Sequence, residues 1–132
     1  MRKSTCLVTI FVLLSLTSCL DWGKTYWNED NYEVQDNPGI ACKTLYYELG
    51  DGSGIGRVDY VSKIGSNDRF LIIESLDTSK NGKVQYWIID KKKDKPTFNG
   101  DEITEGPLSL DSFIARKKQL GIEKQTFEKE FN

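Results

Sequence analysis

The chain has 132 residues, enough for one domain and too few for two, with 38% hydrophobic and 29% charged residues. Its 18 basic and 20 acidic side chains leave a formal charge of −2, which argues against the basic face that nucleic acid requires. It has no histidine, and so lacks the commonest general base and the commonest metal ligand.

Taken in chain order, residues 1–18 read as an export signal. Arg2 and Lys3 form a positive start, residues 7–16 form a ten-residue apolar stretch, and Thr17 and Ser18 follow. The stretch is too short to span a bilayer, which needs about 20 residues. Leu16-Thr17-Ser18-Cys19 resembles the lipobox of bacterial lipoproteins: an apolar residue, two small ones and a cysteine. An ordinary secretory signal with an incidental cysteine is the alternative.

The lipobox resemblance implies that Cys19 receives a diacylglyceryl group with fatty chains such as palmitate, and that the mature chain starts there. The membrane is then a partner through Cys19, and the expected location is the bacterial cell envelope. Leu20 follows the cysteine and Asp21 comes one place too late for inner-membrane retention, so the outer membrane is favoured if the cell has one. Cys6 leaves with the leader and Cys19 becomes a thioether. Cys42 is then the only thiol, and no internal disulfide forms. Cys42 falls in a strand-like run, where it reads as a small buried hydrophobe.

Residues 19–39 read as the lipidated cysteine and a tether, polar and poor in aliphatic side chains. They carry Trp22, Tyr26, Trp27 and Tyr32. These rings either fold back onto the domain, sit at the headgroup level, where amphipathic rings are stable, or meet a partner.

Residues 40–132 read as a single α+β domain. Strands are expected over 40–49, over "RVDYVSKI" with Val58, Tyr60 and Ile64 on one face, over "RFLIIESL" and over "VQYWIID". The third is apolar on both faces and is expected at the centre of the sheet. Asn81-Gly82 is a hairpin signal because both residues tolerate positive φ. Ser109 is placed to cap a helix over "LDSFIARKKQL", with Leu110, Phe113, Ile114 and Leu120 on its inner face and Gly121 at its end. The segment "IEKQTFEKEF" offers Ile122, Phe127 and Phe131 as a second short element. The expected architecture is an antiparallel four- to five-stranded meander packed by one or two C-terminal helices.

"DRFLIIES", "YWIID" and "GPLSLDSFIARKKQLGI", within residues 57–122, resemble a set of small bacterial lipoproteins that carry a domain of unknown function. The turn containing "KPTFNGDEIT" is longer than in that pattern. The resemblance implies no catalytic or binding residues.

Several chemical motifs fail on inspection. "GDGSGIG" lacks the lysine and the spacing of a phosphate loop. "DTSKNG" begins like a calcium loop, but Ile88 stands where the closing carboxylate belongs. No cofactor or metal site is expected. Asp101, Glu102 and Glu105 read as an exposed acidic loop. Lys91, Lys92, Lys93 and Lys95, with Trp22 and Trp27, are the candidate surface contacts, and an anionic surface such as lipid headgroups would suit the lysines.

The sequence therefore reads as a non-enzymatic, lipid-anchored envelope protein whose domain binds a partner, most simply another envelope protein. The alternative is an inhibitor or immunity-type protein that blocks a lysozyme-like or toxin enzyme, with residues 50–56 and 98–106 as inserted loops. A hydrolase using two carboxylates is a third reading.

Overall fold

The computed structural model describes residues 24–132, so Cys19 and Trp22 lie outside the described residues. Two antiparallel sheets stack on each other, and a helix with a C-terminal strap covers the outer face of the second. The first sheet is a plain meander of β1 (Thr25–Glu29), β2 (Tyr32–Asn37), β3 (Cys42–Glu48) and β4 (Gly54–Val58). The second contains β5 (Val61–Ser66), β6 (Phe70–Asp77), β7 (Lys83–Asp90) and β8 (Thr104–Leu108). A two-residue strand, β9 (Lys129–Glu130), closes its far edge beside β5. This is an α+β fold, with the helix packed behind the later strands.

β6 explains the layering. Leu71 and Ile73 point toward the first sheet, where they meet Val34, Leu45 and Val58 in one core. Phe70 and Ile72 point the other way, into a second core with Ile88, Phe113 and Ile122. Alternate residues of a strand face opposite sides, so a strand between two cores must be apolar throughout, as residues 70–73 are.

The chain changes sheets at Asp59-Tyr60. "RVDYVSKI" is two strands: Val58 ends the pairing of β4 with Leu45, and Val61 begins the pairing of β5 with Ser75. Tyr60 has φ 57, a left-handed conformation that breaks the strand. Tyr60 therefore does not share a strand face with Val58 and Ile64.

The segment read as a tether forms β1 and β2 from Thr25 onward. Its inward side chains, Tyr32 and Val34, are 2% and 0% exposed, and Tyr26 and Trp27 pack against the same core. Of the three fates open to these rings, folding back is the one observed for Tyr26, Trp27 and Tyr32.

The turn at Asn81-Gly82 forms as expected, with φ of 60 and 67, after a short 3-10 turn (Thr78–Lys80). Asp77 caps that turn by accepting the Ser79 N–H at 2.9 Å. Helix α1 (Gly100–Ile103) packs on β4. Helix α2 (Leu110–Gln119) starts at Ser109, whose hydroxyl accepts the Ser112 N–H at 3.2 Å, and it ends before Gly121 at φ 70. Phe113 is buried, but Leu110 and Ile114 are 52% and 56% exposed. Only Phe113, with Leu120 just past the helix end, joins the core beside β7, so the observed inner face is narrower than the expected one.

"IEKQTFEKEF" is a strap rather than a second helix. Glu128 N–H donates to Ile64 O at 2.9 Å and Phe131 N–H to Ser62 O at 2.8 Å. Gly65 permits this close crossing, because a Cβ there would collide with the Thr126 carbonyl. Phe127 stacks on Phe113, which stacks on Tyr86, with centroids 6.1 and 4.7 Å apart. None of the helices among the described residues is long and apolar enough to cross a membrane.

Candidate functional site

The lysine-rich segment after β7 is held by a buried ion pair. Arg57 on β4 and Asp94 have fully buried side chains. Arg57 Nε and one terminal nitrogen donate to the two Asp94 carboxylate oxygens at 2.9 and 2.8 Å. The same guanidinium donates to Lys95 O at 3.0 Å and Phe98 O at 2.8 Å. Tyr32 Oη donates to Asp94 Oδ2 at 2.7 Å, and the Lys95 N–H donates to Oδ1 at 2.7 Å. Burial first, then the Asp94 carboxylate, push the Tyr32 phenol well above its ordinary value. Among the described residues no buried side-chain polar atom is left without a partner.

This clamp separates the four lysines. Lys91 is committed elsewhere: its ammonium donates to Asp30 Oδ2 at 2.9 Å and Ser66 Oγ at 3.0 Å, and its side chain is only 8% exposed. It ties the β1–β2 turn to β5. Lys92 is exposed, and its backbone N–H donates to Asp90 Oδ1 at 3.1 Å. Lys93 and Lys95 are exposed and line one cleft of about 530 Å³. Trp27 is half-buried against the core between the sheets.

The cleft lies between the lysine loop, the start of β6, the end of β7, and helix α2. Its floor includes Phe70, Ile88 and Leu120. Two ion pairs stand on its walls: Arg69 donates to Asp90 at 2.8 Å, and Arg116 donates to Glu105 at 2.7 and 2.8 Å. The guanidinium of Arg69 holds the Asp90 carboxyl below its ordinary value, and Arg116 does the same for Glu105. Glu102 accepts the Asn99 N–H at 2.6 Å, which caps α1. A larger hollow of about 690 Å³ runs beside the strap at residues 121–126, but it brings together no comparable set of cations.

The acidic loop is thus distributed. Asp101 and Glu102 lie in α1 and Glu105 in β8, so residues 98–106 are folded structure rather than a free loop. In the 50–56 stretch, Asp51 Oδ1 accepts the Ser53 N–H at 3.0 Å and residues 54–56 belong to β4. Cys42 is a half-buried free thiol 3.6 Å from the Thr44 hydroxyl. Among the described residues, no three side chains of metal-binding type come together.

Sequence reasoning missed Arg57, Asp94 and Arg116. The first two are 37 residues apart and look like surface charges. Only their fold position makes them a clamp.

The fold and the cleft define a small two-sheet α+β domain that displays a charged hollow on its helical side. Residues 28–130 match the family described as "Protein of unknown function (DUF3997)", and the chain belongs to that family. The match runs from β1 to β9 and so takes in both sheets, the clamp and the cleft. No curated protein and no solved structure matches the chain.

Proposed function

We propose that the protein is a lipid-anchored lipoprotein of the bacterial envelope whose domain binds a partner without catalysing a reaction. The observation that carries the anchoring is Leu16-Thr17-Ser18-Cys19 at the end of a short apolar run behind Arg2 and Lys3. The thiol at that junction suits acylation, and two or three fatty chains on one residue give lasting attachment where a single chain holds only marginally. The outer membrane is the favoured site in a cell that has one. The non-catalytic reading is supported by the state of the cleft carboxylates. Asp90 and Glu105 are each bound by an arginine and held in the ionised form. A general acid instead needs a carboxyl whose pKa is raised toward neutrality.

The test is expression of the full chain in a bacterial host supplied with labelled palmitate. The unaltered chain is expected in the membrane fraction, labelled, with its N-terminus at residue 19. Cys19→Ala is expected to lose the label completely. Recovery of a mature chain with an unmodified thiol at position 19, or one processed elsewhere, overturns the anchoring.

A further inference from the structure

We propose that the cleft beneath the lysine loop is the domain's binding site, and that it takes an acidic polypeptide segment in which carboxylates flank an apolar side chain. This rests on the reading that the domain binds a partner.

Charge is the first argument. Two of the three carboxylates that line the cleft are matched by an arginine, Asp90 by Arg69 and Glu105 by Arg116, while Glu102 accepts the neutral Asn99 N–H and keeps its charge. Lys93 and Lys95 have no carboxylate partner among the described residues, and Lys95 Nζ rests 5.5 Å from the centroid of the Phe98 ring. Four cations (Arg69, Lys93, Lys95, Arg116) against three carboxylates (Asp90, Glu102, Glu105) leave the cleft one positive charge in excess, although the chain as a whole is acidic.

Rigidity is the second argument. Asp94 lies between the two lysines and is fully buried, and Arg57 grips the carbonyls of Lys95 and Phe98. A desolvated ion pair is an expensive way to stabilise a fold, since apolar side chains of similar volume often do as well or better. What this pair adds is geometry: it fixes the backbone from which both lysines project. A preorganised site loses less entropy on binding than a mobile one.

Shape and polarity choose the ligand class. A hollow of about 530 Å³ with Phe70, Ile88 and Leu120 in its floor suits a few side chains, one of them apolar. The wall carboxylates of Asp90 and Glu105, although paired with arginines, keep lone pairs that can accept a polypeptide N–H. A polypeptide brings carboxylates, N–H donors and an apolar group together. A phosphate headgroup brings no side chain to fill the floor of Phe70, Ile88 and Leu120.

The experiment uses the full chain in non-ionic detergent and fluorescein-labelled hexapeptides that place aspartate or glutamate around phenylalanine or leucine. Control peptides exchange the acids for lysine, or the apolar residue for serine. Anisotropy is expected to show saturable binding of the acidic-apolar peptides alone. The double variant Lys93→Glu, Lys95→Glu is expected to weaken it about tenfold or more, from two reversed ion pairs, and added salt is expected to weaken it too. Circular dichroism establishes that the double variant is folded. Binding that is equal for the unaltered chain and the double variant overturns the proposal, as does preferential binding to micelles doped with phosphatidylglycerol. If no peptide binds and all are recovered with unchanged mass, the cleft assignment fails while the wider binding reading stands. A peptide recovered chemically altered overturns the non-catalytic reading instead.

Discussion

Asp94 accepts hydrogen bonds from Arg57, Tyr32 and the Lys95 backbone with no exposure of its side chain. Asp94→Ala strands a buried guanidinium and a buried phenol, and removing one partner of a buried pair costs about 3–5 kcal/mol. Chemical denaturation is expected to show that loss; a cost under about 1 kcal/mol would mean that water reaches Arg57. Glu33 contributes a pH dependence opposite in sign to that of Asp90 and Glu105. It stands on the outer face of the first sheet opposite Tyr46, near Glu48. Partial burial, then the Glu48 carboxyl, push it up to about 7, against the opposing hydrogen bond from Thr25. The folded chain then holds this proton more tightly than the unfolded chain, whose carboxyl sits near 4.5. Its contribution to stability is full below about pH 4.5, declines as pH rises to about 7, and is flat beyond. Glu33→Gln is expected to remove that decline, so that stability differs less between pH 5 and pH 8 than in the unaltered chain. An unchanged difference rules Glu33 out as the source. Neither Asp94 nor Glu33 is marked in the sequence, because each depends on neighbours from other strands.

Among the elements, β6, the Asn81-Gly82 turn and helix α2 are legible because their signals are local. β6 shows as an unbroken apolar run, the turn as two residues that accept positive φ, and the helix as a cap at Ser109 and a stop at Gly121. Removing the cap tests the helix. Ser109→Ala leaves the Ser112 N–H without its acceptor and is expected to cost about 1 kcal/mol, while Ser109→Asp restores most of it. Thermal melts of the two variants read the difference, and equal melts would show that the cap contributes nothing. β8 is not legible. It sits in the charged and proline-containing stretch "TEGPL" and is a strand only because β7 offers it a backbone edge. β1 and β2 hide for another reason. One face of each is polar, and their inward residues include aromatics that could equally serve a membrane or a partner. The strap is missed because its spacing of Ile122, Phe127 and Phe131 reflects a crossing over Gly65, which has neither the helical nor the strand period.

At the scale of the molecule, the two sheets are interdependent. The core between them draws Tyr32 and Val34 from the first and Ile64, Leu71 and Ile89 from the second. A chain starting at residue 40 would lose β1, β2 and the phenol that caps Asp94. Removing one large buried side chain costs about 2–5 kcal/mol, and whole domains have about 5–15 kcal/mol to lose. The expectation is that a chain starting at residue 24 unfolds cooperatively in denaturant and one starting at residue 40 does not. A cooperative transition in the shorter chain would show that the second sheet stands alone. The cleft belongs to this scale too. It needs the loop after β7, helix α2 and the β6 start, which are spread over residues 69–120 and meet only in the fold.

The early start of β1 has a mechanical consequence for a chain held at Cys19. Five residues stand between Cys19 and Thr25, and the six residue-to-residue steps pulled straight cover only about 20 Å. That leash is shorter than the width of the module it holds, about 30 Å for a hundred residues. The module could roll and tilt on the lipid but not swing clear of it. With the anchor at Cys19, anything the module grips would have to come down to the bilayer surface to be gripped.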